Sequence, residues 1–202
     1  MFKPLEYLKE TPSQTAGPYV HIGMTPNNCE ITGVIPEDLG LQVVSEGAKG
    51  DRISVVGRVI DGAGSPVIDC VVEIWQADAN GIYNSPMEHR SGGDSHFSGW
   101  GRQPANANGE FAFETIKPGS VPYANGMMAP HITFWIVARG INIGLQTRMY
   151  FSDEEDANST DPILSKARML GRDNTMIGRR DGNTVTFDIY LQGENETVFL
   201  DI

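Results

Sequence analysis

The residues able to do chemistry gather in three stretches. TPSQTAGPYVHIG (11–23) places Thr15, Gly17 and Pro18 ahead of His21. EIWQADANGIYN (73–84) sets Tyr83 two residues after Gly81, at the exit of a turn. TIKPGSVPYANGMMAPHITF (115–134) carries Tyr123 and His131, and RGINIGLQTRMYF (139–151) follows it. Tyrosine and histidine can exchange protons or bind metals, and arginine is a fixed cation. In a chain of net charge −11, Arg139 and Arg148 stand out as positive charges flanking an apolar stretch. His89 and His96 lie in a polar segment, and Cys29 and Cys70 are the only two thiols.

The elements that position these residues follow from hydrophobic pattern and turn chemistry. Residues 1–20 are rich in Pro and Thr and read as an extended arm, and 24–50 read as an irregular connection. ISVVGRVI (53–60) is β-branched and ends at the turn cluster DGAGSP (61–66). VIDCVVEIWQ (67–76) follows, closed by ADANG, and the two runs read as an antiparallel hairpin. The polar, Gly-rich segment 82–108 reads as a long surface loop, a kind that usually carries function. GEFAFETI (109–116) alternates with period two, and HITFWIVA (131–138) is almost continuously apolar. LQTRMYF (145–151), TVTFDIYL (184–191) and ETVFLDI (196–202) complete the strands. One helix is expected, capped by Asp161, with Pro162 in its first position and Gly171 after its end. The acidic run 153–156 reads as a solvated loop or a helix start. The sum is an all-β chain: a β-sandwich of mostly antiparallel strands, with long loops and one or two short helices, in a single domain over 1–202.

Composition narrows the function. Hydrophobic residues make up 40% and charged residues 20%, ordinary values for a globular chain. At 202 residues the chain buries roughly 70% of its unfolded surface and folds without staples. The acidic balance argues against nucleic acid as a partner, since a polyanion calls for a basic face. No apolar run reaches the roughly 18 residues of a membrane span. MFKPLEYLKETPSQ is charged throughout, without a signal-peptide core, so a cytoplasmic location with free thiols is expected.

Taken together and in this order, the three stretches resemble the intradiol ring-cleaving dioxygenases, and the closing QGENETVFLDI matches as well. Catalytic members of that family hold a ferric ion, Fe(III), with two tyrosinates and an H-x-H pair, hard donors suited to a hard cation. Residues i and i+2 of a strand share a face, so the two histidines grip one metal. The catechol substrate chelates the iron and donates electrons to O2. Carried over position by position, Tyr83 matches the first tyrosinate and His131 the first histidine. The second tyrosinate falls on Val121 and the second histidine on Thr133. The family's arginine falls on Met128, and its glutamine on Arg148. The resemblance therefore implies a vestigial centre at Tyr83, Val121, His131 and Thr133, with no metal and no catalytic residue of this chain's own.

One arrangement in the family has this character. Two homologous chains pair: the beta chain holds the iron, and the alpha chain walls part of its substrate pocket. The resemblance assigns Thr15, Gly17, Pro18 and Arg139 to that wall. Glycine lets backbone approach a ligand, proline fixes direction, and arginine suits the carboxylate of 3,4-dihydroxybenzoate. The implied product is 3-carboxy-cis,cis-muconate.

Plainer readings stand beside these. Tyr83 is also a packed aromatic, His131 a hydrogen-bonded structural histidine, and Trp75, Trp100 and Trp135 core or interface anchors. Arg139 also fits an intersubunit salt bridge, and Gly17–Pro18 a simple turn. Two other functions remain open at this point. One is a self-sufficient dioxygenase with substitute ligands from Tyr123, His21, His89 and His96. The other is a non-enzymatic β-sandwich assembly module.

Overall fold

A computed structural model describes residues 15–124 and 126–201. The expected extended arm lies mostly outside these residues. Its described end turns into a short helix, α1 (Pro18–Met24), with Gly17 before it and Pro18 at its start. That placement suits proline, because the first helical N–H has no partner to lose.

Nine strands form one mixed path folded into two facing layers. In the first layer, β1 (Arg52–Ile60) lies antiparallel to β4 (Glu110–Ile116) and parallel to β10 (Thr184–Thr186) and β11 (Ile189–Tyr190), and β10 pairs with β9 (Ile177–Asp181). In the second, β2 (Val71–Trp75) lies between β3 (Trp100–Pro104) and β7 (His131–Val137), and β7 pairs with β8 (Leu145–Phe151). A short parallel step, Tyr150 to Ile177 and Phe151 to Gly178, joins β8 to β9. Six of the nine pairings in this path and the hairpin below are antiparallel, as expected of the sandwich. Inward residues of the two layers meet in one core, with Phe111 and Phe187 on either side of Phe134 at 5.8 and 5.4 Å between ring centres.

β7 is buried on both faces, which explains its near-continuous apolar sequence. One face, with Ile132, Phe134 and Ile136, enters the core. The other carries His131, Thr133 and Trp135; a small hairpin, β5 (Val121–Tyr123) with β6 (Gly126–Met128), packs with helix α3 (Pro162–Met169) through Val121, Met128 and Ile163. Asp161 caps α3, accepting from the N–H groups of Ile163 and Leu164, as expected. A shorter helix, α2 (Glu155–Thr160), begins inside the acidic run.

Four expectations are corrected. β1 and β2 do not form a hairpin: Asp61 closes the turn by accepting from Ala63 and Ser65, but the strands then part to different layers after one bridge, Ile60–Pro66. Both strands are central, so each already uses both edges. The segment 82–108 is not all loop, because Trp100–Pro104 pairs with β2 despite its Gly and Pro. TVTFDIYL breaks into two strands at Phe187. ETVFLDI forms no ladder; its described part is tied by single bonds, Thr197 N–H to Tyr190 O and Leu200 N–H to Gln146 O.

Candidate functional site: a vestigial metal centre and a docked arm

Register places the candidate residues before any side chain is considered. Across β2, β7 and β8, Trp75 faces Thr133 and Thr133 faces Arg148. One step along, His131 faces Tyr150. Directly paired residues share a sheet face, so Trp75, His131, Thr133, Arg148 and Tyr150 line one face of the second layer.

Two glycine turns bring the remaining positions onto this face. Asp78 Oδ1 accepts from the N–H groups of Asn80 and Ile82, forming the ADANG turn, in which Gly81 has φ +75°. A Cβ on Gly81 would lie 2.0 Å from Ser120 O, and one on Gly119 would lie 2.6 Å from Ala79 O. Gly119 N–H donates to Asp78 O at 2.9 Å, locking the two turns together. Each turn releases its chain two residues later, at Tyr83 and at Val121. Both pack with Ala77, Met128 and Ile163 in one small cluster, and Tyr83 stacks on Trp75 at 5.8 Å, 8° from parallel.

The chemistry of the assembled site is not that of a ferric centre. Val121 is 2% exposed and fills the second tyrosinate position with hydrocarbon. Thr133 occupies the second histidine position. Arg148 puts its guanidinium against the Met128 thioether, Nη1 to Sδ 3.1 Å, and its Nε is buried without a partner. His131 is 3% exposed; its Nδ1 lies 2.7 Å from Ala129 O, and its Nε2 is buried without a partner. A carbonyl only accepts, so Nδ1 carries the proton and Nε2 presents its lone pair. Burial first, and Arg148 second, push the His131 imidazole down to about 4. Burial raises the Tyr83 phenol above its ordinary value, against the opposing pull of Arg148 and Arg90. Burial raises the Tyr150 phenol as well, and its hydroxyl donates to Asp161; two protonated phenols, one imidazole and a fixed cation do not fit a trivalent ion. Among the described residues, no group of three or more His, Cys, Asp or Glu gathers to hold a metal. Tyr123, a possible substitute ligand, is 46% exposed, and His96 is tied to Ser45.

Asp161 holds this region together in a way its sequence position did not reveal. Besides capping α3, its carboxylate accepts from Tyr150 OH at 3.0 Å and Ala129 N–H at 2.9 Å. The D-P signal identified the cap; nothing local in the sequence points to the two distant donors.

The arm residues meet elsewhere. Thr15 Oγ1 accepts from Gly140 N–H at 2.6 Å, Ala16 bridges Arg139, and Ala16 N–H donates to Ile141 O at 3.3 Å. Gly17 follows at the start of α1, and a Cβ there would have nothing within 4 Å. Pro18 is the next residue, in the first turn of α1. Arg139 is largely exposed and pairs with Asp69 at 2.7 Å. It borders a cleft of about 590 Å³ with Val67, Ile68, Ile141 and Leu191. Arg139 lies six residues beyond Thr133, about 20 Å at the rise of a strand. Thr15, Gly17, Pro18 and Arg139 therefore group together, at the opposite end of β7 from the vestigial centre.

The family model described as Dioxygenase matches residues 27–193. The protocatechuate 3,4-dioxygenase alpha chain of Pseudomonas putida is 44% identical, over 98% of this chain and 99% of its own. The chain belongs to the intradiol dioxygenase family. A protocatechuate 3,4-dioxygenase beta chain, from Burkholderia cepacia, is 35% identical over 83% of this chain and 76% of its own. The 3-chlorocatechol 1,2-dioxygenase of Rhodococcus opacus 1CP superposes with a TM-score of 0.58 at 19% identity, over 74% of this chain and 63% of that one, a likeness of fold. This intradiol dioxygenase chain thus keeps the family fold, with the Arg148 guanidinium on the sheet face that carries His131 and Thr133. No helix among the described residues is long and apolar enough to cross a membrane.

Proposed function

We propose that this chain is the non-catalytic, alpha-type subunit of a protocatechuate 3,4-dioxygenase. Its partner is a homologous beta-type chain that holds Fe(III) and cleaves 3,4-dihydroxybenzoate with O2 to 3-carboxy-cis,cis-muconate. The observation that carries this reading is that Val121 and Thr133 stand where the resemblance puts the second tyrosinate and the second histidine, with the Arg148 guanidinium at the family's glutamine and Met128 at its arginine. The identity to an alpha chain along almost the whole length supports it. In this reading the whole chain acts as one domain. Thr15, Gly17, Pro18 and Arg139 form pocket wall for the partner, and Arg139 biases that pocket towards a carboxylated catechol. The free thiols Cys29 and Cys70 support a reducing, cytoplasmic setting.

The test is turnover of protocatechuate by the chain alone and by the chain co-expressed with a homologue that carries both tyrosines and H-x-H. Activity is expected only in the co-expressed complex. Turnover by the chain alone would overturn the proposal.

A further inference from the structure

The vestigial centre holds two buried polar groups that the protein itself does not satisfy, and they are complementary. Arg148 is a fixed cation with no carboxylate within ion-pair distance among the described residues. The nearby Asp161 carboxylate already accepts from Tyr150, Ala129, Ile163 and Leu164. Nη1 of Arg148 is directed at Met128 Sδ, the Tyr150 phenol lies close enough to be influenced by the guanidinium, and Nε, on the edge it shares with Nη2, is buried without a geometrically satisfactory partner. That edge presents two parallel N–H donors, the geometry that matches a planar carboxylate. His131 shares the sheet face with Arg148, one ladder step away, and its Nε2 is a buried lone pair without a donor. Buried polar atoms in native proteins are almost always partnered, and Arg148 is half-buried, so its unpaired edge can be reached by a ligand from solvent.

We propose that this centre has become a binding site for a small planar oxyanion that carries its own hydroxyl, with hydrogencarbonate as the smallest example. The two oxygens that share the charge accept from the Nε–Nη2 edge of Arg148, and the hydroxyl donates to His131 Nε2. The Thr133 hydroxyl, directly across the ladder from Arg148, completes the polar floor. Val121, Met128 and Tyr83 cover it with apolar surface, which strengthens the charged contact and limits ligand size. An anion without a hydroxyl satisfies Arg148 but leaves Nε2 unpaired. The inference concerns this chain's own pocket and is independent of where the iron resides.

The test is calorimetric titration of the full chain with hydrogencarbonate and, separately, formate, at fixed ionic strength and pH. The 15N signal of His131 Nε2 is followed in parallel. One saturable hydrogencarbonate site per chain is expected, with a displaced Nε2 signal and formate at least about tenfold weaker. Arg148→Gln should weaken hydrogencarbonate by about tenfold or more, as loss of a charge-assisted bond does. Arg148→Lys, which keeps charge but loses the fork, should fall between. No saturable binding by the wild-type chain would overturn the proposal, since water would then suffice. Equal affinity for formate, or binding unchanged in either Arg148 variant, would also overturn it.

Discussion

At the scale of single residues, Arg148 and His131 determine what the site can be. A guanidinium opposite Thr133 and a histidine held neutral leave the Tyr83 and Tyr150 phenols, both kept protonated by burial, and an Asp161 carboxylate already occupied by Tyr150, Ala129 and the start of α3. The lowered His131 value has a consequence for stability. An unfolded histidine takes up its proton near 6.5, whereas His131 in the fold does so near 4. Its contribution is present in full above pH 6.5 and is lost as pH falls towards 4, by about 3 kcal/mol. Denaturant titrations from pH 7 to pH 4 should show that loss, and His131→Phe should reduce the slope; identical slopes would contradict a buried neutral imidazole. Asp161→Ala removes a helix cap and leaves Tyr150 OH and Ala129 N–H without their acceptor. A loss of about 4 kcal/mol is expected from these together, measured by urea unfolding. A loss within the usual range for a cap alone, about 1 kcal/mol, would mean that the two distant donors find other partners.

At the scale of elements, two glycine turns set the site. Gly81 has a positive φ and touches Ser120, while Gly119 touches Ala79, so neither position accepts a Cβ without moving backbone. Gly81→Ala should destabilise by about 2–4 kcal/mol and unstack Tyr83 from Trp75, read by near-ultraviolet circular dichroism. A variant of unchanged stability and spectrum would show that the turns are not locked. The strands that carry the site were legible for a simple reason: β4, β7 and β8 have strong local patterns, and α3 has Asp161 and Pro162 at its start. β3 was not, because WGRQP has the composition of a loop and is a strand only through its pairing with β2. The β1–β2 hairpin was misread because the turn after β1 is real while the pairing is decided by neighbours far along the chain. The positions that the resemblance names, Tyr83, Val121, His131 and Thr133, are expectations of family motifs; the structure adds that His131 and Thr133 share a sheet face and that Tyr83 and Val121 pack in one cluster. The convergence of Met128, Arg148 and Asp161 was not legible, since it depends on register and on the β5–β6 hairpin.

At the level of the whole molecule, the two groups of residues lie apart. The vestigial centre lies at one end of β7, and the arm with Arg139 lies at the other, held by the Thr15–Gly140 bond. A Cβ at Gly17 meets nothing within 4 Å, so Gly17→Trp starts without a backbone clash, and unchanged circular dichroism of the lone variant chain is expected. In the complex the variant should lower protocatechuate turnover or affinity at least several-fold while iron content stays the same; unchanged kinetics would exclude the arm from the partner's pocket. In the proposed function, a chain with the intradiol dioxygenase fold has given up its metal and works through a partner that keeps it. The most direct measurement is iron per chain, with the visible spectrum, for the chain expressed alone and for the complex with its homologue. A colourless, iron-free chain that enters a red, iron-bearing complex is expected, the red arising from tyrosinate-to-ferric charge transfer. A lone chain that is red and iron-loaded would contradict it.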